Sequence, residues 1–213
     1  RKFLIEQKVI SPARIGVLAD GSAAGVDMKR FSADYGARLN LRRRLQIPEN
    51  DIVFLFVGRL TRDKGLLDLA QAFVRVATGN EAVHLVVVGP DEEGLSREIA
   101  ALTQAISGRV HIAGFTDEPE RYMRAADVLC LPSYREGFGA VIIEAAAVGL
   151  PAVASRIYGV TDAVEEGVTG ILHKPAAIPE IADAMVLLAS SKEIREAMGK
   201  AAHARVAEKY SEE

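Results

Sequence analysis

Cysteine is almost absent from this sequence. Cys130 stands alone, so no disulfide framework exists within one chain. Its setting, the apolar run Val128-Leu129-Cys130-Leu131, reads as a strand with a buried thiol rather than a nucleophile or a metal ligand. No apolar run reaches the roughly 18 residues that a membrane-spanning helix needs, and the amino terminus carries no recognisable signal peptide. The cytoplasm is therefore the default expectation, although the chain begins at Arg1 without a methionine and an upstream portion could have been removed. Net charge is low as well: 26 lysines and arginines against 29 aspartates and glutamates leave −3. Such a balance gives no electrostatic reason to expect nucleic acid as a partner. His84, His111, His173 and His203 are scattered and lack a recognisable carboxylate or cysteine ligand set, so they read as structural or surface residues and no metal is expected. Solenoid repeats and low-complexity segments are missing. A dinucleotide-dependent dehydrogenase is disfavoured, because no Gly-x-Gly-x-x-Gly follows a first strand with an acid closing the βαβ unit.

What is present is a regular alternation. With 213 residues, 49% of them apolar, the chain can hold one substantial core at the upper end of an ordinary single domain. From Val53 onward short apolar runs alternate with amphipathic stretches, the signature of βα units around a parallel sheet. Residues 53–58, 83–88, 109–113, 128–131 and 151–154 read as strands, with helices over 65–77, 92–106, 119–125 and 140–148. Two more helical patterns, 178–189 and 192–209, follow Pro175. The β-branched, nearly continuous hydrophobicity of the strands predicts a sheet covered on both faces. The fold class is α/β, a doubly wound parallel sheet rather than an eight-unit barrel. Residues 1–30 are expected to form a lead-in segment with a first strand at 15–18, residues 31–175 the core, and 176–213 terminal helices of the same domain. Arg42, Arg43 and Arg44 read as solvated charges near the end of an amphipathic helix rather than a phosphate or membrane contact.

Ligands of open parallel sheets bind outside the carboxyl ends of the strands, which singles out four loops. After the 53–58 strand, Arg59 and Lys64 approach the next helix start; they can clamp a diphosphate or serve as solubilising, salt-bridged bases. Gly89 lets the backbone approach a ligand, and Glu92 or Glu93 would favour the following helix terminus. In Gly114-Phe115-Thr116-Asp117 the backbone can meet a base edge. Phe115 is open between a base platform and a packing residue, and Asp117 is a candidate helix cap. The fourth loop carries the most weight. In Glu136-Gly137-Phe138-Gly139-Ala140 the glycines permit close approach and the helix start offers unpaired N–H groups to an anion. Glu136 precedes this nest and Glu144 lies about one turn into the helix. Either they meet donor-sugar and ribose hydroxyls respectively, or both are helix-end charges.

Val57-Gly58-Arg59-Leu60 through Lys64-Gly65, the Val88-Gly89 turn, Ser133 through Gly139, and Glu144 with Gly149-Leu150-Pro151 together resemble the donor-binding, carboxyl-terminal half of the group 1 family of retaining glycosyltransferases. The Glu136 to Glu144 spacing matches that family's two-glutamate motif, and the likeness spans residues 53–172. It implies one Rossmann-like domain of a two-domain GT-B enzyme. Further, it implies transfer of a hexosyl group from a nucleoside diphosphate sugar to an acceptor hydroxyl, without a cofactor, and with uridine preferred by family analogy only. By resemblance Arg59, Lys64 and Glu136 serve catalysis, while Gly89, Phe115, Thr116, Gly137, Phe138, Gly139 and Glu144 bind the nucleotide sugar. Gly159 resembles the loop near the diphosphate, and residues 165–170 resemble a turn before a small terminal strand.

The run Gly21 to Asp27, followed by Arg30-Phe31, resembles the segment where these enzymes enter their second domain. An amino-terminal acceptor-binding domain is therefore expected as a missing partner, with a saccharide or lipid-linked saccharide as acceptor. Bacterial polysaccharide or lipid-linked oligosaccharide synthesis, at the inner membrane surface in a full-length enzyme, is the implied setting. Alanine at 24, where that subset often has asparagine, is a departure from the pattern. The competing reading is a module that binds nucleotide sugars without turnover.

Overall fold

The strand Ile-Val-Phe-Leu-Phe-Val explains the architecture. In an extended chain alternate side chains point to opposite faces, so β1 (Ile52–Val57) sends Val53 and Leu55 into one apolar cluster and Phe54 and Phe56 into another. A strand that buries both faces requires a layer of helices on each side. The computed structural model describes residues 5, 7–11 and 25–211 and has that arrangement. The other strands are β2 (Val83–Val88), β3 (Val110–Gly114), β4 (Val128–Leu131), β5 (Ala152–Ser155) and β6 (Gly170–His173). They form one sheet in the order β3-β2-β1-β4-β5-β6, parallel throughout. The last of them is the small strand anticipated after the 165–170 turn.

On one face lie α1 (Tyr35–Arg44), α4 (Pro119–Ala125), α5 (Ala140–Val148) and α7 (Lys192–Lys209), contributing Met123, Ile143, Ala202 and Val206 to the first cluster. The opposite face holds α2 (Leu66–Gly79), α3 (Leu95–Leu102) and α6 (Ile178–Ser190), with Leu69, Phe73, Ile99 and Met185 in the second cluster. Phe73 meets Phe54 edge-on, ring centroids 6.5 Å apart; truncating either ring to alanine should cost about 3–5 kcal/mol. The alanine run 145–147 keeps α5 narrow and buried. Gly149, at φ 93°, ends it by donating back to the Ala145 and Ala146 carbonyls, a left-handed C-cap. A Cβ on Gly199 of α7 would sit 2.2 Å from the Gly149 carbonyl oxygen, so glycine there permits the close α5–α7 contact.

Three expectations need correction. The helix expected over 92–106 starts at Leu95 and ends at Leu102, followed by a 3-10 segment over Gln104–Arg109. Its start is set by Asp91, whose carboxylate takes the Leu95 and Ser96 N–H groups at 2.8 and 3.0 Å, a capping that excludes Glu92 and Glu93 from the helix. Next, Arg42 is not solvated. It is 1% exposed, bonded to the carbonyls of Ala125, Pro48, Glu49 and Asp51 and 2.6 Å from Asp127. Full pairing is what makes a buried guanidinium tolerable, and here it ties α1 to the amino ends of β1 and β4. Finally, Arg109 does not open β3; it donates to the Ala77 and Asn80 carbonyls. The strand expected at 15–18 and the stretch 20–24 lie outside the described residues.

Candidate functional site

Strand order reverses between β1 and β4, and their carboxyl ends define the crevice where an open α/β sheet receives a ligand. Left-handed glycines draw the surrounding loops together. Gly65, at φ 66°, would place a Cβ 2.1 Å from the Pro132 carbonyl oxygen, so α2 starts hard against the loop after β4. Tyr134 N–H completes the contact on the Asp63 carbonyl at 2.8 Å. Because of that seam Lys64 reaches Glu136: Nζ to Oε1 is 2.6 Å, with side chains only 16% and 13% exposed. Ser133 Oγ donates to the same carboxylate oxygen at 2.8 Å.

Beyond Glu136 the chain offers N–H groups. None of those from 137–141 has an acceptor among the described residues, α5 has no side-chain cap and no acid in its first turn, and Gly137 and Ala140 are exposed. Five adjacent unpaired donors at a helix start form a ready anion cradle. The loop after β5 backs it, since a Cβ on Gly159 would lie 2.3 Å from the Gly137 carbonyl oxygen. Phe138 turns its ring onto Tyr210, centroids 5.6 Å apart. The ring is thus packed against the core, while the Phe138 N–H has no acceptor among the described residues.

The remaining expected residues are distributed along the same edge. Arg59 is exposed and pairs with Glu92 at 3.0 Å, not with Lys64 or Glu136. Thus Glu92 serves as a counter-ion to Arg59, and Glu93 accepts the Arg62 N–H at 3.0 Å. Gly89 packs loop on loop: its Cβ would stand 1.8 Å from the Gly58 carbonyl oxygen, and its N–H bonds the Gly114 carbonyl at 2.8 Å. Phe115 is 75% exposed, which decides against a core role. Thr116 Oγ1 accepts the Glu118 N–H at 3.1 Å. Asp117 does not cap α4; Glu118 holds the cap position without a side-chain bond, and Asp117 gives its carbonyl to Arg30 Nη2 at 2.6 Å.

Glu144 is half-buried on α5 and accepts no hydrogen bond from any described residue. Burial raises its carboxyl above the ordinary range; Arg30 partly offsets this and Glu120 adds to it. An unpaired, partly desolvated carboxylate is a strong acceptor for a ligand hydroxyl. Sequence reasoning quoted Ser133 and Arg30 only as parts of the resemblance and did not name Glu120; their partners in this constellation lie 3, 87 and 90 positions away.

A cleft of about 530 Å³ lies elsewhere, lined by Asp51, Ile52, Asp127, Pro151, Lys192 and Arg195 among others. These residues mark the amino ends of β1, β4 and β5, the edge opposite the anion cradle. Its Arg38 and Asp127 pair with each other at 2.6 Å. Among the described residues no group of three or more His, Cys, Asp or Glu could hold a metal ion.

The family described as glycosyl transferases group 1 matches residues 37–205. The D-inositol 3-phosphate glycosyltransferase of Kribbella flavida is 35% identical over 202 residues, covering 90% of this chain and 46% of that protein. The capsular polysaccharide biosynthesis glycosyltransferase CapM of Staphylococcus aureus is 28% identical, covering 98% of this chain and 54% of its own. Among solved structures, Anabaena HepE in complex with UDP and glucose superposes with a TM-score of 0.81 at 26% identity, covering 88% of this chain and 51% of that one. The chain therefore spans about half the length of the curated relatives it matches. With that match across most of its described residues, the chain belongs to the group 1 glycosyl transferase family.

Proposed function

We infer that this chain is the donor-binding, carboxyl-terminal half of a retaining glycosyltransferase, which moves a hexosyl group from a nucleoside diphosphate sugar to an acceptor hydroxyl. The observation that carries the reading is the Lys64–Glu136 pair beside the unpaired N–H groups of 137–141. Breaking the sugar–phosphate bond puts negative charge on the departing diphosphate, and preoriented donors of low exposure stabilise that charge better than water does. Lys64 exchanges Glu136 for the diphosphate, while Ser133 keeps its bond to Glu136 so that the carboxylate is not left stranded. The second Glu136 oxygen then meets donor-sugar hydroxyls. Arg59 supplies a second cation at little cost, since an exposed pair such as Arg59–Glu92 is worth only about 0–1 kcal/mol.

Glu144 accepts from the ribose hydroxyls, Phe115 stacks the base, and the backbone at Thr116 meets its edge. Gly137, Phe138 and Gly139 act through their N–H groups, and Gly89 keeps the neighbouring loops low enough for the nucleotide to approach. Residues 31–175 make up this nucleotide-sugar core, with α6 and α7 as terminal helices of the same domain. The UDP in the HepE structure supports a UDP-linked donor, and the role of CapM in capsular polysaccharide biosynthesis supports a saccharide or lipid-linked saccharide acceptor in polysaccharide synthesis. The partner is an amino-terminal acceptor-binding domain, and the setting is the cytoplasmic side of the inner membrane. Among the described residues no helix is long and apolar enough to cross a membrane. Half-length coverage of the relatives favours donor binding without turnover by this chain alone.

Calorimetric titration with UDP, GDP, ADP, their sugar conjugates and NAD tests the reading. Saturable binding to one nucleoside diphosphate series is expected. Binding to NAD alone, or to none of them, would overturn it.

A further inference from the structure

The short segment ahead of α1 is laced to the candidate site, and its anchor is one guanidinium. Asp27 Oδ1 takes the N–H groups of Lys29 and Arg30 at 2.9 and 3.0 Å, a turn that fixes the Arg30 backbone. Arg124 Nη2 holds the Arg30 carbonyl at 2.6 Å, and Phe31 is buried beneath, its ring centroid 5.3 Å from the guanidinium. From this platform Arg30 reaches across to α4. Its Nε and Nη2 both donate to Glu120 Oε2, at 3.1 and 2.9 Å, and Nη2 also donates to the Asp117 carbonyl at 2.6 Å. Asp117 closes the loop whose tip is Phe115. Glu120 is only 10% exposed, so its charge depends on Arg30 for compensation.

We propose that Arg30 is a positioning residue of the donor site: it fixes the loop bearing Phe115 and Thr116 through Asp117 and ties that loop to α4 through Glu120. The inference rests on the donor-site reading above. It also makes the segment preceding α1 a determinant of donor affinity.

Two readouts test it. UDP and pyrophosphate affinities are measured by calorimetry at pH 7 in the parent, Arg30→Ala and Arg30→Lys. Arg30→Ala should weaken UDP about tenfold, the loss of roughly one charge-assisted bond, and leave pyrophosphate binding unchanged, because the loop it fixes carries the base contacts and not the anion cradle. Arg30→Lys should restore only part of the UDP affinity, because an ammonium cannot span both acceptors, and it keeps the test decisive should Arg30→Ala not fold. Undiminished UDP affinity in either variant, or an equal loss for pyrophosphate, would overturn the proposal. A parent chain that binds no nucleoside diphosphate would instead overturn the donor-site reading itself.

Discussion

Lys64 Nζ stands 2.6 Å from Glu136 Oε1 across 72 positions of sequence. An ammonium and a carboxylate that are both mostly shielded from water attract more strongly than a surface pair, yet nothing about the spacing of the two residues announces it. The contact exists because Gly65 lets α2 begin against Pro132. It holds a cation next to five N–H groups that have no acceptor among the described residues.

Lys64→Ala should weaken UDP binding by about 10- to 100-fold, the loss of a charge-assisted bond of roughly 1.5–3 kcal/mol. Glu136 retains the Ser133 hydroxyl, so the urea midpoint should fall far less than the affinity. Superimposable calorimetric curves for parent and variant would remove Lys64 from the site.

Glu144 titrates above its ordinary value of 4.5 in the fold because it is desolvated. A carboxyl with a raised folded value holds its proton in the native state after the unfolded chain has released it. Stability therefore falls as pH rises from the ordinary value through the raised one. Glu144→Gln should consequently be the more stable protein at pH 7, with the difference vanishing below the ordinary carboxylate range. Binding moves the other way: Glu144→Ala should bind UDP and 2′-deoxy-UDP equally, while the parent prefers the ribose form. Equal discrimination in both proteins would reject the ribose role.

Two glycines with left-handed backbones separate strain from collision. Gly167, at φ 74°, has open space where a Cβ would go, whereas Gly159, at φ 91°, would drive one to 2.3 Å from the Gly137 carbonyl oxygen. Gly167→Ala should cost about 1 kcal/mol, the backbone term alone. Gly159→Ala should cost more and also weaken UDP binding by shifting the cradle. Urea denaturation of both variants checks the order, and equal losses would mean the loop after β5 yields freely.

Phe115→Ala should leave stability within about 0.5 kcal/mol, as expected for an exposed side chain, because the ring is 75% exposed. Affinity for UDP should drop by roughly 1–3 kcal/mol of lost stacking, while pyrophosphate binding stays unchanged. A parallel loss for pyrophosphate would place Phe115 outside base recognition.

The elements most legible in the sequence were those whose periodicity coincides with their burial. β2 and β4 run over Val83–Val88 and Val128–Leu131, and α4 and α5 over Pro119–Ala125 and Ala140–Val148, as the apolar patterns imply. The 92–106 stretch misled because its acids were assigned by helix-dipole logic, whereas Asp91 caps the helix and Arg59 and Arg62 take Glu92 and Glu93. Arg42 misled because a basic run reads as surface, while its guanidinium closes carbonyls brought from residues 48 to 125.

By itself, the sequence determined the α/β alternation, the double burial of the sheet and the glycine loop that opens α5, because each depends on residue types within a few positions of one another. Tertiary structure alone decided that Lys64 meets Glu136, that Arg59 is held by Glu92, that Phe138 serves the core and that Arg30 reaches Asp117 and Glu120. Those pairings depend on which strands become neighbours and on how closely glycines let loops approach. Such proximity is set by packing between segments far apart in the chain, and no local pattern encodes it.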